Sequence, residues 1–171
     1  RSRFGKFLAW KEPVIRDCGV IFYHDSWYSI LSDSDIYRTA AASIRSHPTG
    51  FGQYLHPGNW GITGEFNKIV RANKDTFEHV NRTVQWLRQQ PDYAENCTLF
   101  TNFAFGYSPQ SQAFRLASQY FWDVYSKEEL TWRDQPLWCY VLNHFNVTPM
   151  ILKAPRIFRH NFSRLGHDGH T

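Results

Sequence analysis

An α/β architecture is predicted for this 171-residue chain by three observations. Short β-rich runs at residues 18–23, 99–107 and 148–152 alternate with stretches of helical spacing. The helical stretches carry their own start and stop residues. The length fits one domain with a real core, and no internal repeat or low-complexity tract interrupts it.

The elements follow in order. Residues 1–12 begin as a short basic and aromatic helix that Pro13 stops. Cys18-Gly19-Val20-Ile21-Phe22-Tyr23 is apolar on both faces, which predicts a buried strand ending at His24-Asp25. Ser32-Asp33 precedes a helix over 36–44. Residues 47–64 read as a loop, with His-Pro steps and glycines between aromatics. A short helix follows at 65–73, and Asp75-Thr76 caps another over 77–90 that Pro91 ends. Leu99–Tyr107 is the clearest strand, and Pro109 opens a helix to Tyr125. Asp134 and Pro136 sit where a helix start favours them, with the helix reaching His144. A strand at 148–152 closes the pattern, before a polar, histidine-rich tail over 159–171.

Composition narrows the partners. Aromatics are 18% of the chain, which suits sugar rings, nucleobases or a tight core. The net charge of +4 is spread without a dense Lys/Arg run, which argues against nucleic acid and leaves room for an anionic small substrate. No apolar stretch reaches the ~20 residues of a membrane span. The three cysteines lack CxxC spacing; one disulfide at most can form, and burial as small hydrophobes is expected for all three. N-glycosylation acceptors stand at Asn81, Asn96, Asn146 and Asn161. Roughly one such triplet is expected by ordinary usage. The excess favours the secretory pathway and an oxidising lumen over chance occurrence in a cytoplasmic protein.

Four places can carry chemistry. His24-Asp25 lies at the carboxyl end of a predicted strand, where open α/β sheets bind ligands, and offers an oxygen ligand with an imidazole beside it. Asp33-Ser34-Asp35 resembles an acidic metal motif but precedes a helix, so capping is its expected role. Arg133-Asp134-Gln135 puts a base or charge stabiliser and a hydrogen-bonding amide at a helix start, where simple capping is the alternative. In the tail, His160, His167 and His170 can complete a metal shell or form a plain polar end.

Taken in order, these segments resemble GT-A-fold glycosyltransferases. The closest resemblance is to the glycosyltransferase-like domain of plant cell-wall and mucilage proteins. It rests on Arg3…Lys6, the strand ending in Asp25, His47-Pro48, the stretch LFTNFAFGYSP and the WRDQP helix start. It implies a Rossmann-like mixed sheet flanked by helices, lacking its amino-terminal strands, in a single domain over 1–171 that is a fragment of a longer chain. It also implies a nucleotide-sugar donor and a glycan or other hydroxyl acceptor, with assistance from Mn²⁺ or Mg²⁺ in the Golgi lumen. Arg3, Lys6, His24, Asp25 and His47 would then face the donor. Asp25, His167 and His170 would hold the metal, and Asp134 and Gln135 would stand at the reacting sugar. The strand-end triplet here is His-Asp-Ser, with a single carboxylate. Two other expectations fit the same residues: a non-catalytic carbohydrate-binding or structural descendant of the fold, and a metal-dependent hydrolase.

Overall fold

The computed structural model of the chain describes residues 3–25, 28–30, 34–58, 60–127, 129–153 and 158–160. Its order is α1 (Phe4–Phe7), β1 (Ile21–His24), β2 (Tyr28–Ile30), α2 (Ser34–Ser46), β3 (Phe51–Leu55) and α3 (Gly61–Arg71). Then come α4 (Phe77–Arg88), β4 (Phe100–Tyr107), α5 (Gln112–Tyr125), α6 (Asp134–His144), β5 (Met150–Ile151) and β6 (Phe158–His160). Two 3₁₀ turns, Ala9–Lys11 and Pro13–Ile15, lead from α1 to β1.

The α/β expectation is met in its coarse form: a four-stranded mixed sheet in the order β1-β4-β3-β5 is flanked by helices. β4 is antiparallel to both β1 and β3, and β5 is parallel to β3. Hence β1, β3 and β5 point the same way, and their carboxyl ends share one edge. A separate antiparallel pair joins β2 to β6.

Strand alternation separates two cores. On one face Phe51, Phe105 and Tyr107 meet Phe7 of α1, Phe114 and Phe121 of α5, and Trp138 of α6. On the other, Phe22, Tyr54 and Ala104 meet Ile44 of α2 and Leu152. Phe7 is fully enclosed, with ring centroids 4.3 Å from Phe121 and 4.9 Å from Trp138. Burial of that ring stabilises the fold by about 2–3 kcal/mol and pins a helix too short to stand alone.

α6 is fixed by one polar hub. Gln53 is wholly buried; its amide nitrogen donates to Asn102 Oδ1 (2.9 Å) and Thr101 O (3.2 Å), and its Oε1 accepts from Trp138 Nε1 at 3.0 Å. A buried amide satisfied at both ends sets the register of α6 on the sheet. Asp134 lies four residues before Trp138, on the same helix face.

Several expectations are corrected. Residues 47–64 contain β3, a central strand hidden in the sequence by its flanking glycines and His-Pro steps. Gly52 and Gly106 lie opposite each other in the register. A Cβ on Gly52 would meet Leu152 at 3.1 Å, and one on Gly106 would meet Ile44 and Phe22 at 2.7 Å, so a side chain at either position would crowd the layer in which α2 packs. α3 begins at Gly61, within the same predicted loop. β1 is a half-buried edge strand starting at Ile21. α5 starts after Ser111, whose hydroxyl accepts from Phe114 N, so Pro109 belongs to the preceding turn. Arg159 and His160 of the predicted tail lie in β6. Cys97 and Cys139 form a disulfide with a Cα separation of 6.0 Å, and Cys18 is exposed.

Candidate functional site

Residues far apart in the sequence meet beside the carboxyl end of β1. Lys6 rides into the core next to Phe7, and its Nζ lies 2.9 Å from Asp134 Oδ2 and 3.8 Å from Asp25 Oδ1. Arg3, one turn earlier on the same short helix, places Nε 3.3 Å from Asp134 Oδ2. Asp25 is held by its backbone N–H, which donates to Phe103 O at 2.8 Å, and by Tyr23, whose hydroxyl donates to Asp25 Oδ1 at 2.6 Å. Tyr23 and Asp25 are two apart on an extended segment, so their side chains share a face. Lys6 Nζ also stands 5.0 Å from the centroid of the Tyr23 ring.

The charges are unequal in exposure. The Lys6 side chain is 2% exposed and that of Asp134 8%, whereas Arg3 is 22% and Asp25 29% exposed. Burial alone would push the Asp134 carboxyl up, but Lys6 and then Arg3 outweigh it and hold Asp134 below the usual carboxylate range. Burial first, and the bond to Asp25 second, push the Tyr23 hydroxyl well up, so it stays a proton donor to Asp25. The α6 start has no side-chain cap. Asp134 therefore serves the ion pair instead of the capping role that its position also allowed. Next to it, Gln135 Nε2 is a buried donor without a hydrogen-bond partner among the described residues.

The loop that delivers Asp134 is stapled to α4. Asp75, with a side chain closed to solvent, accepts from Thr131 Oγ1 (2.6 Å) and Trp132 N (2.9 Å) through one oxygen. Its other oxygen accepts from Thr76 N at 2.8 Å and contacts His79 Nδ1 at 3.0 Å. Burial pushes the Asp75 carboxyl up, but these bonds together hold it below its ordinary value. Tyr125 adds a second tie, donating to Trp132 O at 3.0 Å. The capping role expected at the α4 start belongs to Thr76, which accepts from His79 N. Tyr23 and Tyr125 read in the sequence as ordinary strand and helix residues and Asp75 as part of a helix cap, and nothing in their spacing marks the bonds they make here.

Arg3, Lys6, Asp25 and Asp134 thus converge, and Gln135 adjoins them. His24 shares the strand end, with Nδ1 3.0 Å from Asp25 O, but strand alternation turns it to the other face. His47 is not brought in. It precedes β3, whose first residue pairs with Tyr107 beside Ile21, at the opposite end of the sheet, and it is turned to Thr49 at 2.8 Å. Asp35 lies in the first turn of α2 against Arg38, as a helix-start residue would. Asp33, Asn161, His167 and His170 lie outside the described residues. Asn81, Asn96 and Asn146 are exposed. Among the described residues no group of three potential metal ligands occurs, and no helix is long and apolar enough to cross a membrane. Asp25 supplies the one half-open carboxylate, with an oxygen already engaged by Tyr23, so the described donor set does not by itself fit a divalent cation.

No family model, curated protein or solved structure matches the chain.

Proposed function

We propose that the protein is a GT-A-like glycosyltransferase that moves a sugar from a nucleotide-sugar donor to a glycan or other hydroxyl acceptor. The observation that carries this reading is the meeting of Arg3, Lys6, Asp25 and Asp134 at the carboxyl edge of β1. Open α/β sheets take ligands at that edge. Glycosyl transfer builds positive charge on the sugar and negative charge on the leaving diphosphate, so a site with fixed charges of both signs suits it.

The roles divide by exposure. Arg3 is the cation open enough to touch a phosphate, while Lys6 acts from beneath it through its field and holds both carboxylates in place. Asp25 reaches solvent and is the group able to take the acceptor proton or to face the sugar cation. Asp134 is enclosed and ion-paired, so it positions Lys6 and Arg3 and is not itself the base. Gln135, next to Asp134 in the chain, keeps its unpartnered amide nitrogen closed to solvent, so it backs the site without facing the sugar. Arg3 and Lys6 supply the positive charge that the leaving diphosphate requires, and no step here rests on a divalent cation. The exposed acceptor asparagines and the Cys97–Cys139 bond support maturation in the secretory pathway, with the Golgi lumen as its place.

One observation favours a second reading, a carbohydrate-binding protein without turnover: two carboxylates and two cations can cancel within the site and serve only as structure. Incubation with a panel of nucleotide sugars separates the two. Release of nucleotide diphosphate from one donor, lost in Asp25→Asn, is the expected result. Absence of turnover, with no donor raising the unfolding temperature, sinks the enzyme reading.

A further inference from the structure

A second cleft lies at the far end of the sheet from Asp25. It is bounded by the 3₁₀ segment before β1 and by the turn that follows β4, and encloses about 510 Å³. Trp10, Lys11, Arg16, Pro109, Gln110 and Arg115 line it. Three of these side chains are cations and none is a carboxylate. Among the described residues no carboxylate oxygen forms an ion pair with Lys11, Arg16 or Arg115. All three cations are exposed, and what distinguishes them is that they share one cleft around a single indole.

The cleft is also built to keep its shape. Trp10 Nε1 donates to Ser118 Oγ at 3.0 Å, which anchors the indole on α5. The Arg115 guanidinium lies 4.6 Å and Lys11 Nζ 5.4 Å from the indole centroid, so one anchored ring steadies two like charges. Gln110 Nε2 donates to Arg16 O at 2.6 Å and closes the rim between the two segments. Cations gathered without acids, on a fixed platform, are arranged for an oxyanion. Trp10 and Pro109 add an apolar wall on which a pyranose ring can lie.

We propose that this cleft binds the anionic substituent of an acidic sugar, a uronate carboxylate or a sulfate or phosphate ester, on the glycan that the protein engages. The proposal rests on the glycan reading above for its choice of ligand, and on the cleft alone for its choice of charge. It makes the protein two-handed: transfer at the carboxyl edge of β1, and retention of an acidic chain at the opposite edge.

Binding of three labelled hexasaccharides, one of uronate, one sulfated and one neutral, tests it by titration. One acidic chain or both bind, more weakly as salt rises, and the neutral chain does not. The Lys11→Ala/Arg115→Ala double variant binds at least about tenfold more weakly, as expected for two lost charge-assisted contacts. Arg115→Gln alone, at an exposed position, gives a partial loss, and thermal unfolding confirms that both variants fold. Equal binding of the neutral chain overturns the proposal, as does unchanged affinity in the double variant. Equally tight binding of a single-stranded oligonucleotide that is lost in the same variant overturns the choice of sugar. Failure of the transferase reading shows separately, as absence of nucleotide release with acidic-sugar binding intact.

Discussion

Lys6 and Asp134, far apart in the sequence, form an ion pair of 2.9 Å in which both side chains are nearly closed to solvent. The pair joins α1 to the start of α6. The Gln53–Trp138 bond one turn further along α6 keeps the carboxylate at the height of the ammonium.

Removing one partner leaves the other charge buried and unmatched. Lys6→Met is expected to destabilise the protein by about 3–5 kcal/mol. The Lys6→Met/Asp134→Leu double variant should recover much of that, because packing can replace a buried pair. Urea unfolding of the two single variants and the double closes the cycle, and strict additivity would refute a direct coupling.

Asp25 is half-open, and its contacts lie at the rim. Asp25→Asn should change stability by no more than about 1 kcal/mol while lowering donor turnover by at least about 100-fold. His47→Ala, at the other end of the sheet, should leave turnover unchanged. Steady-state rates and melting curves for both variants check the assignment, and a loss in His47→Ala would return that residue to the site.

Asp75 and Asp134 both have carboxyl groups held below their ordinary values. A carboxyl whose folded pKa is depressed stabilises the fold above its unfolded pKa and loses that contribution as pH falls through the folded value. Stability should therefore be flat above about pH 5 and decline below about pH 4, the ordinary carboxylate range. Asp75→Asn should flatten this acid limb while costing about 2–3 kcal/mol near neutrality, since it weakens bonds to a charged acceptor. Unfolding free energies from pH 3 to 7 measure both effects.

The Cys97–Cys139 bond closes a loop with a sequence separation of 42 residues that contains β4 and α5. Its loss through Cys97→Ala/Cys139→Ala should cost roughly 2–4 kcal/mol. Melting with and without a reductant gives the same comparison on the parent chain. An unchanged melting temperature would show that the thiols are not paired.

The sequence displayed strong elements and hid weak ones, for physical reasons. β4 was legible because eight aromatic and alternating residues sit between turn signals. β3 was not, because a central strand with a glycine at its second position and His-Pro steps on both sides has a loop's composition. Its strand identity comes from the partners on either side. The site was half legible. Asp25 and Asp134 stood out by their places at a strand end and a helix start, and Arg3 and Lys6 entered through a family resemblance. Their ion pairing could not be read, since it depends on Phe7 carrying Lys6 inward. Asp75 and Tyr23 act through side-chain bonds across the tertiary structure, which no periodicity encodes.

The facing glycines Gly52 and Gly106 let α2 rest almost on bare backbone, with Ile44 filling the space where two side chains would stand. A helix seated that closely seals the middle of this sheet face. The two ends of the strands carry opposite kinds of chemistry: balanced charge at Asp25, and unbalanced positive charge at Trp10.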